Sequence, residues 1–292
     1  MDLAKLLESL IISGLSLAEP KMVRELEPAG QIQDERVAES SGLAHSRQFP
    51  GLWWTHNDSG HTPHLFPMDA EGKKLGEPVL IEEARNVDWE DLAADDHGQI
   101  WISDLGNNAN RRRDLAVYII DEPRPLPEDE GGGFPESVPV KRKIRVRYPD
   151  QEAFPPEKRN FDSEAIFVRG KTLYVLTKHR SDTDTKLYKL EDDGGDEEQV
   201  LVHLQTFPDI GMVTAAALHP DDKRLAVLTY TGVWVFETDG DTERFLDGNV
   251  WRMITTPVVW RQVEAIDWLD DETLLITNEQ RDVYRIGLEQ LQ

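Results

Sequence analysis

The sequence contains no cysteine, which excludes disulfide bonds, thiolate metal sites and cysteine nucleophiles. It also has no run of about 18 apolar residues, so it predicts no membrane-spanning helix. Basic residues are few, because 32 Lys and Arg stand against 56 Asp and Glu, for a formal net charge of −24. Nucleic-acid binding requires a basic surface. The composition therefore argues against a nucleic-acid partner.

The first twenty residues allow two interpretations. Lys5 precedes a short apolar stretch, and small residues occupy 16–18, which is typical of a secretory signal peptide. Asp2 and Glu8 are not typical of one. Residues 1–20 are therefore either a signal-like segment or a short amphipathic lead-in helix. The first alternative predicts a secreted or periplasmic protein, and the second predicts a cytoplasmic one.

One pattern recurs five times along the chain. A short apolar strand follows a polar residue, a turn leads to a second apolar strand with a polar end, and a polar loop and further strands follow. The repeats begin about 50 residues apart, except for about 74 between the second and the third. Four short strands with their turns fill such a length, as in the blade of a β-propeller. The sequence therefore predicts an all-β fold, a five-bladed propeller.

The chain ends and one insertion complete this prediction. Residues 121–139 are rich in Pro, Gly and acidic residues, which predicts an inserted loop and explains the long spacing. The last repeat has room for only three strands before Gln292. Residues 22–34 are expected to supply its outer strand and to close the ring. Residues 21–292 then form a single domain, and the alternative of six blades would need a further blade within 121–160.

The first residue of each repeat is a candidate metal ligand. The first strand of a propeller blade lines the axis, so the repeat starts are expected to converge at one mouth of the central channel. Several carboxylates around a narrow axis need protons or a cation to offset their charge. Oxygen ligands suit Ca²⁺ better than Zn²⁺, and Mg²⁺ or no metal are the alternatives. The predicted ligands are Glu39, Glu90, Glu164, Thr214 and Glu264.

The start of the first repeat has two possible alignments. Aligning Gly42 with Asp91 places Ser41, rather than Glu39, level with Glu90. The alternative to a metal site is that these side chains only bond backbone amides or ordered water in the channel.

The ends of the second strands and the loops after them are expected at the same mouth. Lys and Arg outnumber Asp and Glu in these loops, unlike in the whole chain, which suits a phosphate or carboxylate substrate. Asp58 and Asp104 are candidates to orient a water molecule, and Arg112 and Lys178 are candidates to stabilise developing charge. The candidate substrate-binding residues are Asn57, Asn107, His179, Asn278 and Arg281. The alternative is a set of solvated loops.

Short motifs at these positions resemble the calcium-activated nucleotidase (apyrase) family. The matching segments are Trp89-Glu90, Ser163-Glu164-Ala165, Thr214, Val263-Glu264-Ala265, Leu105-Gly106-Asn107 and Asn57-Asp58-Ser59-Gly60. The resemblance implies a five-bladed propeller with a Ca²⁺ on its axis, held by Glu and Ser residues at the blade starts. Asn57 and Ser59 depart from the family's Asp-Asp-Arg-Thr-Gly motif.

A weaker resemblance concerns the opening Glu39-Ser40-Ser41-Gly42-Leu43-Ala44. It is similar to phytase-like and SdiA-regulated bacterial propellers, which implies a secreted or periplasmic protein.

Two classes of function agree with these observations. The first is a Ca²⁺-dependent hydrolase that acts on a small anionic substrate, as a phosphoester or phosphoanhydride hydrolase or as a lactonase-type esterase. The alternative is a non-catalytic propeller that binds a ligand or a protein, with a structural ion. The sequence makes no prediction about the oligomeric state.

Overall fold

The computed structural model describes residues 19–192, 194–195, 197–240 and 242–292. The predicted signal-like or lead-in segment, up to residue 18, lies outside these described residues. Almost all regular structure within them is β. No helix in the described part of the chain is long and apolar enough to cross a membrane.

Five sheets form the five blades of a propeller, and each has its first strand at the axis. The chain begins with two short strands, β1 (Lys21–Met22) and β2 (Gly30–Gln31). The four strands of blade 1 are β3 (Ser40–His45), β4 (Trp53–Asn57), β5 (His64–Met68) and β6 (Val79–Glu82). Those of blade 2 are β7 (Leu92–Ala94), β8 (Gln99–Asp104), β9 (Ala116–Asp121) and β11 (Arg142–Arg147). Those of blade 3 are β12 (Ser163–Arg169), β13 (Thr172–Thr177), β14 (Thr185–Leu190) and β16 (Val202–Phe207).

Blades 4 and 5 come from the last third of the chain. The strands of blade 4 are β17 (Val213–Leu218), β18 (Arg224–Thr229), β19 (Gly232–Glu237) and β20 (Asn249–Ile254). Blade 5 contains β21 (Val263–Trp268), β22 (Thr273–Asn278) and β23 (Asp282–Gly287). The helical elements among the described residues are one short helix, α1 (Pro257–Trp260), and the 3-10 turns Glu128–Glu130 and Leu288–Gln290.

The N-terminal strand β2 closes the ring by completing blade 5. It pairs antiparallel with β23, with Gly30 opposite Val283 and Gln31 opposite Asp282. The predicted five-bladed propeller, closed by an N-terminal strand, is confirmed. Closure in this way joins an N-terminal and a C-terminal strand in one sheet and pairs part of the outer edge of β23.

Three outer edges carry a further strand that the repeat pattern does not show. The strand β1 pairs parallel with β20 of blade 4. The end of the 121–139 segment forms β10 (Ser137–Pro139), which returns to blade 1 and pairs parallel with β6. A third strand, β15 (Gln199–Val200), pairs parallel with β11 of blade 2. These additions cover the edges of blades 1, 2 and 4.

The core lies between neighbouring blades, where apolar side chains of adjacent sheets interdigitate. Trp101 of blade 2 packs in one cluster with Ile166 of blade 3. Trp268 of blade 5 packs with blade 4, and its indole N–H donates to the Ala217 carbonyl oxygen at 3.1 Å. Such large flat side chains bury apolar area while their N–H groups find acceptors.

Buried aspartates tie the inner strands together around the axis. The Asp91 carboxylate accepts the backbone N–H of Ile166 at 2.9 Å and that of Ala216 at 3.4 Å, and so joins blades 2, 3 and 4. Asp267 of blade 5 accepts the N–H of His45 in blade 1 at 2.7 Å. Inner strands have no neighbour on their axial side, so these carboxylates pair N–H groups that would otherwise be unsatisfied.

We expect that Ile32→Ala destabilises the protein strongly because Ile32 follows the closing strand and is 2% exposed among apolar side chains of blades 1 and 5. Removing such a buried side chain costs about 2–5 kcal/mol. Met22→Ala in the other N-terminal strand is the control, since Met22 is 49% exposed and the change should stay within about 0.5 kcal/mol. Chemical unfolding measures both, and equal small losses would contradict closure by this segment.

Candidate functional site

A β-bulge at the start of each inner strand places one side chain at the mouth of the channel. The strand register shifts around this residue in blades 1, 3, 4 and 5. In blade 2, Glu90 and Asp91 both lie opposite Ser103, which is the same two-against-one arrangement. A bulge turns one side chain away from the regular alternation. The five side chains, called the axial ring below, are Ser41, Glu90, Glu164, Thr214 and Glu264.

The structure corrects the alignment of the first blade. Ser41, and not Glu39, occupies the axial ring, and its hydroxyl donates to the Glu90 carbonyl oxygen at 3.0 Å. Glu39 is exposed and lies two residues earlier, at the position of Asp88 and Asp162 in blades 2 and 3. The reason is the bulge, because the residue that turns inward directly follows the last regular pair, Ser40 with Asn57.

Five carboxylates form two groups that share Glu90. In each group, oxygen atoms of the three side chains lie within 4.8 Å of one another. One group contains Asp58, Asp88 and Glu90, and the other contains Glu90, Asp162 and Glu164. All-carboxylate oxygen sets of this kind suit hard cations such as Ca²⁺ and Mg²⁺. We call these five residues the Glu90 cluster.

Asp88 and Asp162 are not among the residues predicted from the sequence. Each lies two residues before a glutamate of the axial ring, in the segments Asp88-Trp89-Glu90 and Asp162-Ser163-Glu164. This repeated Asp-x-Glu spacing was the available signal. An alternating strand would place both residues on one face, and here the bulge leaves them close enough to share a site.

The loop after β8 holds Asp88 and Glu90 in place. A Cβ atom on Gly106 would lie 2.1 Å from Glu90 Oε1 and 2.5 Å from Asp88 Cγ, so only glycine allows this close approach. Asp104 Oδ1 accepts the backbone N–H of Asp88 at 3.0 Å and pairs with Arg112 Nη1 at 2.9 Å. Asp104 and Arg112, predicted as catalytic residues, therefore lie behind the Glu90 cluster, Asp104 buried and Arg112 half-buried, and position it.

Side chains that follow the second strands face the mouth. Asp58 and Lys178 come directly after β4 and β13, and Tyr230 and Glu279 hold the same place after β18 and β22. Because side chains alternate along a strand, the residue before each of these points the other way. The predicted location of Asp58 and Lys178 agrees with the structure.

Two predicted substrate-binding residues, Asn57 and Asn278, are the last residues of β4 and β22, and their side chains are buried. The Asn57 side chain accepts the backbone N–H groups of Ala38 and Glu39, at 2.7 and 3.1 Å. The Asn278 amide donates to the Trp260 carbonyl oxygen at 3.1 Å. Both amides are therefore used to shape the backbone around the mouth.

The other three predicted substrate-binding residues also lie outside the Glu90 cluster. Asn107 Oδ1 accepts the N–H groups of Arg111 and Arg112 and so forms the loop after β8. His179 is buried, with Nδ1 2.5 Å from Asp182 Oδ1. Arg281 lies in the β22–β23 turn with a φ of 71°, and its carbonyl oxygen accepts the Ile32 N–H.

Lys178 compensates one side of the axial ring. Its ammonium contacts the Glu164 carboxylate and donates to the Tyr230 hydroxyl oxygen at 2.9 Å. The Tyr230 hydroxyl in turn donates to Glu264 Oε1 at 2.7 Å. This chain of contacts satisfies Glu164 and Glu264 with a buried cation supplied by the protein.

Arg180 adds a second cation at the edge of the same side. Its guanidinium donates to Asp162 at 2.7 Å and to Glu164 at 3.1 Å. No Lys, Arg or His in the described ranges forms an ion pair with Asp58, Asp88 or Glu90. The negative charge is therefore least compensated around these three residues.

The pKa values follow this distribution of charge. Burial, and then the Glu164 carboxylate, raises the pKa of Glu90 well above its ordinary value. Burial likewise raises the pKa of Glu164 to about 8, even though Lys178 opposes the shift. The pKa of Asp88 rises to about 6, first through burial and then through the nearby Asp58 charge. The mouth thus has an excess of negative charge, which bound protons or a bound cation can neutralise.

Thr214 supplies a further indication of what the axial ring can accept. Its side-chain oxygen is buried and has no hydrogen-bond partner within the described part of the chain. A buried hydroxyl without a partner is costly, and a hydrated cation or an ordered water next to the ring would satisfy it.

We expect the stability of chelated protein to fall as pH rises from the ordinary glutamate pKa of 4.5 to about 8. The pKa of Glu264 is raised to about 7 by burial, so the native state keeps protons that the unfolded chain releases. Glu264→Gln removes one such proton and keeps an acceptor for Tyr230, so the decline should be shallower. Thermal melts across this pH range measure it.

The control is Glu272→Gln, an exposed glutamate at the opposite end of blade 5, which should leave the pH dependence unchanged. Identical pH profiles for Glu264→Gln and the unmodified protein would contradict the assignment.

Comparison with known proteins supports the fold. No protein-family model matches the sequence, and no curated protein matches it. Among solved structures, the PQQ-bound aldose sugar dehydrogenase of Streptomyces coelicolor is similar, with a TM-score of 0.51 at 9% identity over 92% of this chain and 98% of that one. A gluconolactonase of Xanthomonas campestris is similar over 87% of this chain and 72% of that one, at 18% identity and a TM-score of 0.41. At such identities the likeness concerns the β-propeller fold alone.

Proposed function

We propose that the protein is a Ca²⁺-dependent hydrolase-like propeller that acts on a small anionic substrate at the mouth of its channel. The observation that carries the proposal is the Glu90 cluster, in which five carboxylates converge with too few cationic partners. The resemblance of the blade starts to calcium-activated nucleotidases points to the same ion. Mg²⁺ is the alternative ion, since it also prefers oxygen ligands.

The site needs a bound cation in order to accept an anion. Lys178 and Arg180 already pair with Glu164 and Asp162, so the mouth without a metal would repel a phosphate or a carboxylate. A divalent ion held by Asp58 and Glu90, next to Asp88, would neutralise the charge of these two carboxylates and give the substrate anion a cation to bind. When bound, it would supply polarisation of a substrate oxygen and stabilisation of developing negative charge.

The residues of the chain have distinct parts in this proposal. Asp88 is the candidate general base, because its side chain is partly exposed beside the proposed ligands and its pKa of about 6 without a bound ion leaves it ionised at neutral pH. Asp104 and Arg112 position Asp88 through the hydrogen bond to its backbone. Lys178 and Tyr230 hold the opposite wall of the ring.

The substrate approaches from one side of the channel. The cavity at the opposite end, lined by Ala94, Leu218 and Asp267 among others, has about 20 Å³, which is room for about one water molecule. A substrate therefore binds with its reacting group at the mouth and the rest of the molecule in solvent or over the loops.

A non-catalytic binding propeller is the second candidate, and the Lys178 network favours it. A buried lysine bound to Glu164 and linked through Tyr230 to Glu264 stabilises the axis without any metal. In that case the ion only rigidifies the mouth, and the loops bind a ligand or a protein.

We expect that added Ca²⁺ raises the melting temperature of chelated protein, because an ion that binds only the native state stabilises it. The rise should be larger with Ca²⁺ than with Mg²⁺. Glu90→Gln removes the residue common to both carboxylate groups and should abolish the shift. Glu272→Gln is the matched control and should keep it. A calcium-induced shift of unchanged size in Glu90→Gln would overturn the assignment of the metal site.

The proposed chemistry is tested with phosphoesters, phosphoanhydrides and lactones in the presence of Ca²⁺. We expect turnover in one of these classes, and Asp88→Asn should lower kcat by about 10²- to 10⁴-fold while calcium binding is kept, as loss of a general base does. A calcium-induced rise in melting temperature without turnover of any of the three classes would favour the binding propeller.

A further inference from the structure

A second cavity lies over blade 2, at the same end of the propeller as the axial ring. It has about 250 Å³, and its walls include Arg112, Arg113, Leu115, Val146, Gln151 and Phe154. These residues belong to the β8–β9 loop, to the end of β11 and to the segment that follows β11. Because β11 and β8 both run antiparallel to β9, their ends lie on one face of the propeller. We call this cavity the blade 2 pocket.

The blade 2 pocket is basic in a strongly acidic protein. Arg112, Arg113 and Arg147 line it together with a single carboxylate, that of Glu198, in a chain of net charge −24. Arg147 pairs with Glu198 at 3.3 Å. Arg113 has no ion pair with a carboxylate of the described residues, and Arg112 Nη2 has no hydrogen-bond partner among them. The Arg112 nitrogen is buried, so Arg113, which is exposed, supplies the accessible free donors at this wall.

One side of the pocket is flat and apolar. The Arg113 guanidinium lies over the Phe154 ring, 3.8 Å from its centre, which fixes its orientation without using its N–H donors. Leu115 and Val146 are buried beneath it, at 3% and 2% exposure. Apolar walls with a few fixed polar groups are the usual composition of a small-molecule site.

We propose that the blade 2 pocket binds a small organic carboxylate with a flat apolar body. The carboxylate accepts hydrogen bonds from Arg113, whose planar guanidinium group matches its geometry. The apolar body contacts Leu115, Val146 and Phe154. The volume is below the range of about 300–1,000 Å³ typical of drug-sized ligands, so the ligand is about as large as a single aromatic ring with its carboxylate. This site does not depend on a metal at the axis.

The test is a calorimetric titration of the full-length protein with benzoate. A chelator is present throughout, so that the carboxylate has no metal to bind at the Glu90 cluster. We expect saturable binding of benzoate at one site. Benzyl alcohol, which has the ring without the charge, and inorganic phosphate, which has the charge without the ring, should both bind at least about tenfold more weakly.

Variants locate the binding. Arg113→Ala should weaken benzoate binding by about 10- to 100-fold, as loss of a charge-assisted hydrogen bond does, and Arg113→Lys should restore part of it. Arg111→Ala is the matched control, because this neighbouring arginine is exposed and outside the pocket wall. Arg113 is itself exposed, so unchanged melting temperatures are expected for all three variants. Absence of saturable binding, equal affinity for phosphate or benzyl alcohol, or equal affinities of Arg113→Ala and Arg111→Ala would each overturn the proposal.

Discussion

The repulsion among buried carboxylates at the mouth is the interaction on which the rest of the site depends. Five inner strands start around a narrow axis, and three of them start with a glutamate that a β-bulge turns inward. Two aspartates, Asp88 and Asp162, add to the charge. Charges brought together out of water must be paired, protonated or bound to a cation. The two sides of the ring differ in how far the protein itself provides such pairing.

On the side of blades 3, 4 and 5, the protein supplies its own cation. Lys178 contacts Glu164 and, through Tyr230, is linked to Glu264, so this half is satisfied by hydrogen bonds among its own groups. On the side of blades 1 and 2, Asp58, Asp88 and Glu90 have no such partner among the described residues. The asymmetry places the proposed ion near Glu90 rather than midway between the five blades. It also makes the proposed binding of an anionic substrate conditional on that ion.

The loop between β8 and β9 connects the two proposed sites. Gly106 packs against Asp88 and Glu90 on its inner side, whereas Arg113 faces the blade 2 pocket on its outer side. Arg112 lies between them, with Nη1 on Asp104 and on the Gly106 carbonyl oxygen. A single loop thus positions the acidic Glu90 cluster and the basic wall of the blade 2 pocket on one face. The ion pair between Arg112 and Asp104 lies between them.

The sequence by itself determined the repeats, the blade number, the closing strand and most of the axial ring, because these depend on spacing along the chain and on local strand patterns. It also placed Asp58 and Lys178 at the mouth. Only the tertiary structure decided between Ser41 and Glu39, because the repeat spacing allows both alignments and the position of the bulge between Ser40 and Gly42 leaves no mark in composition. The pairing of Lys178 with Glu164, and the burial of Asp104 behind Asp88, likewise depend on contacts within and between blades. Such contacts join residues far apart in the chain, and the repeat pattern carries no information about them.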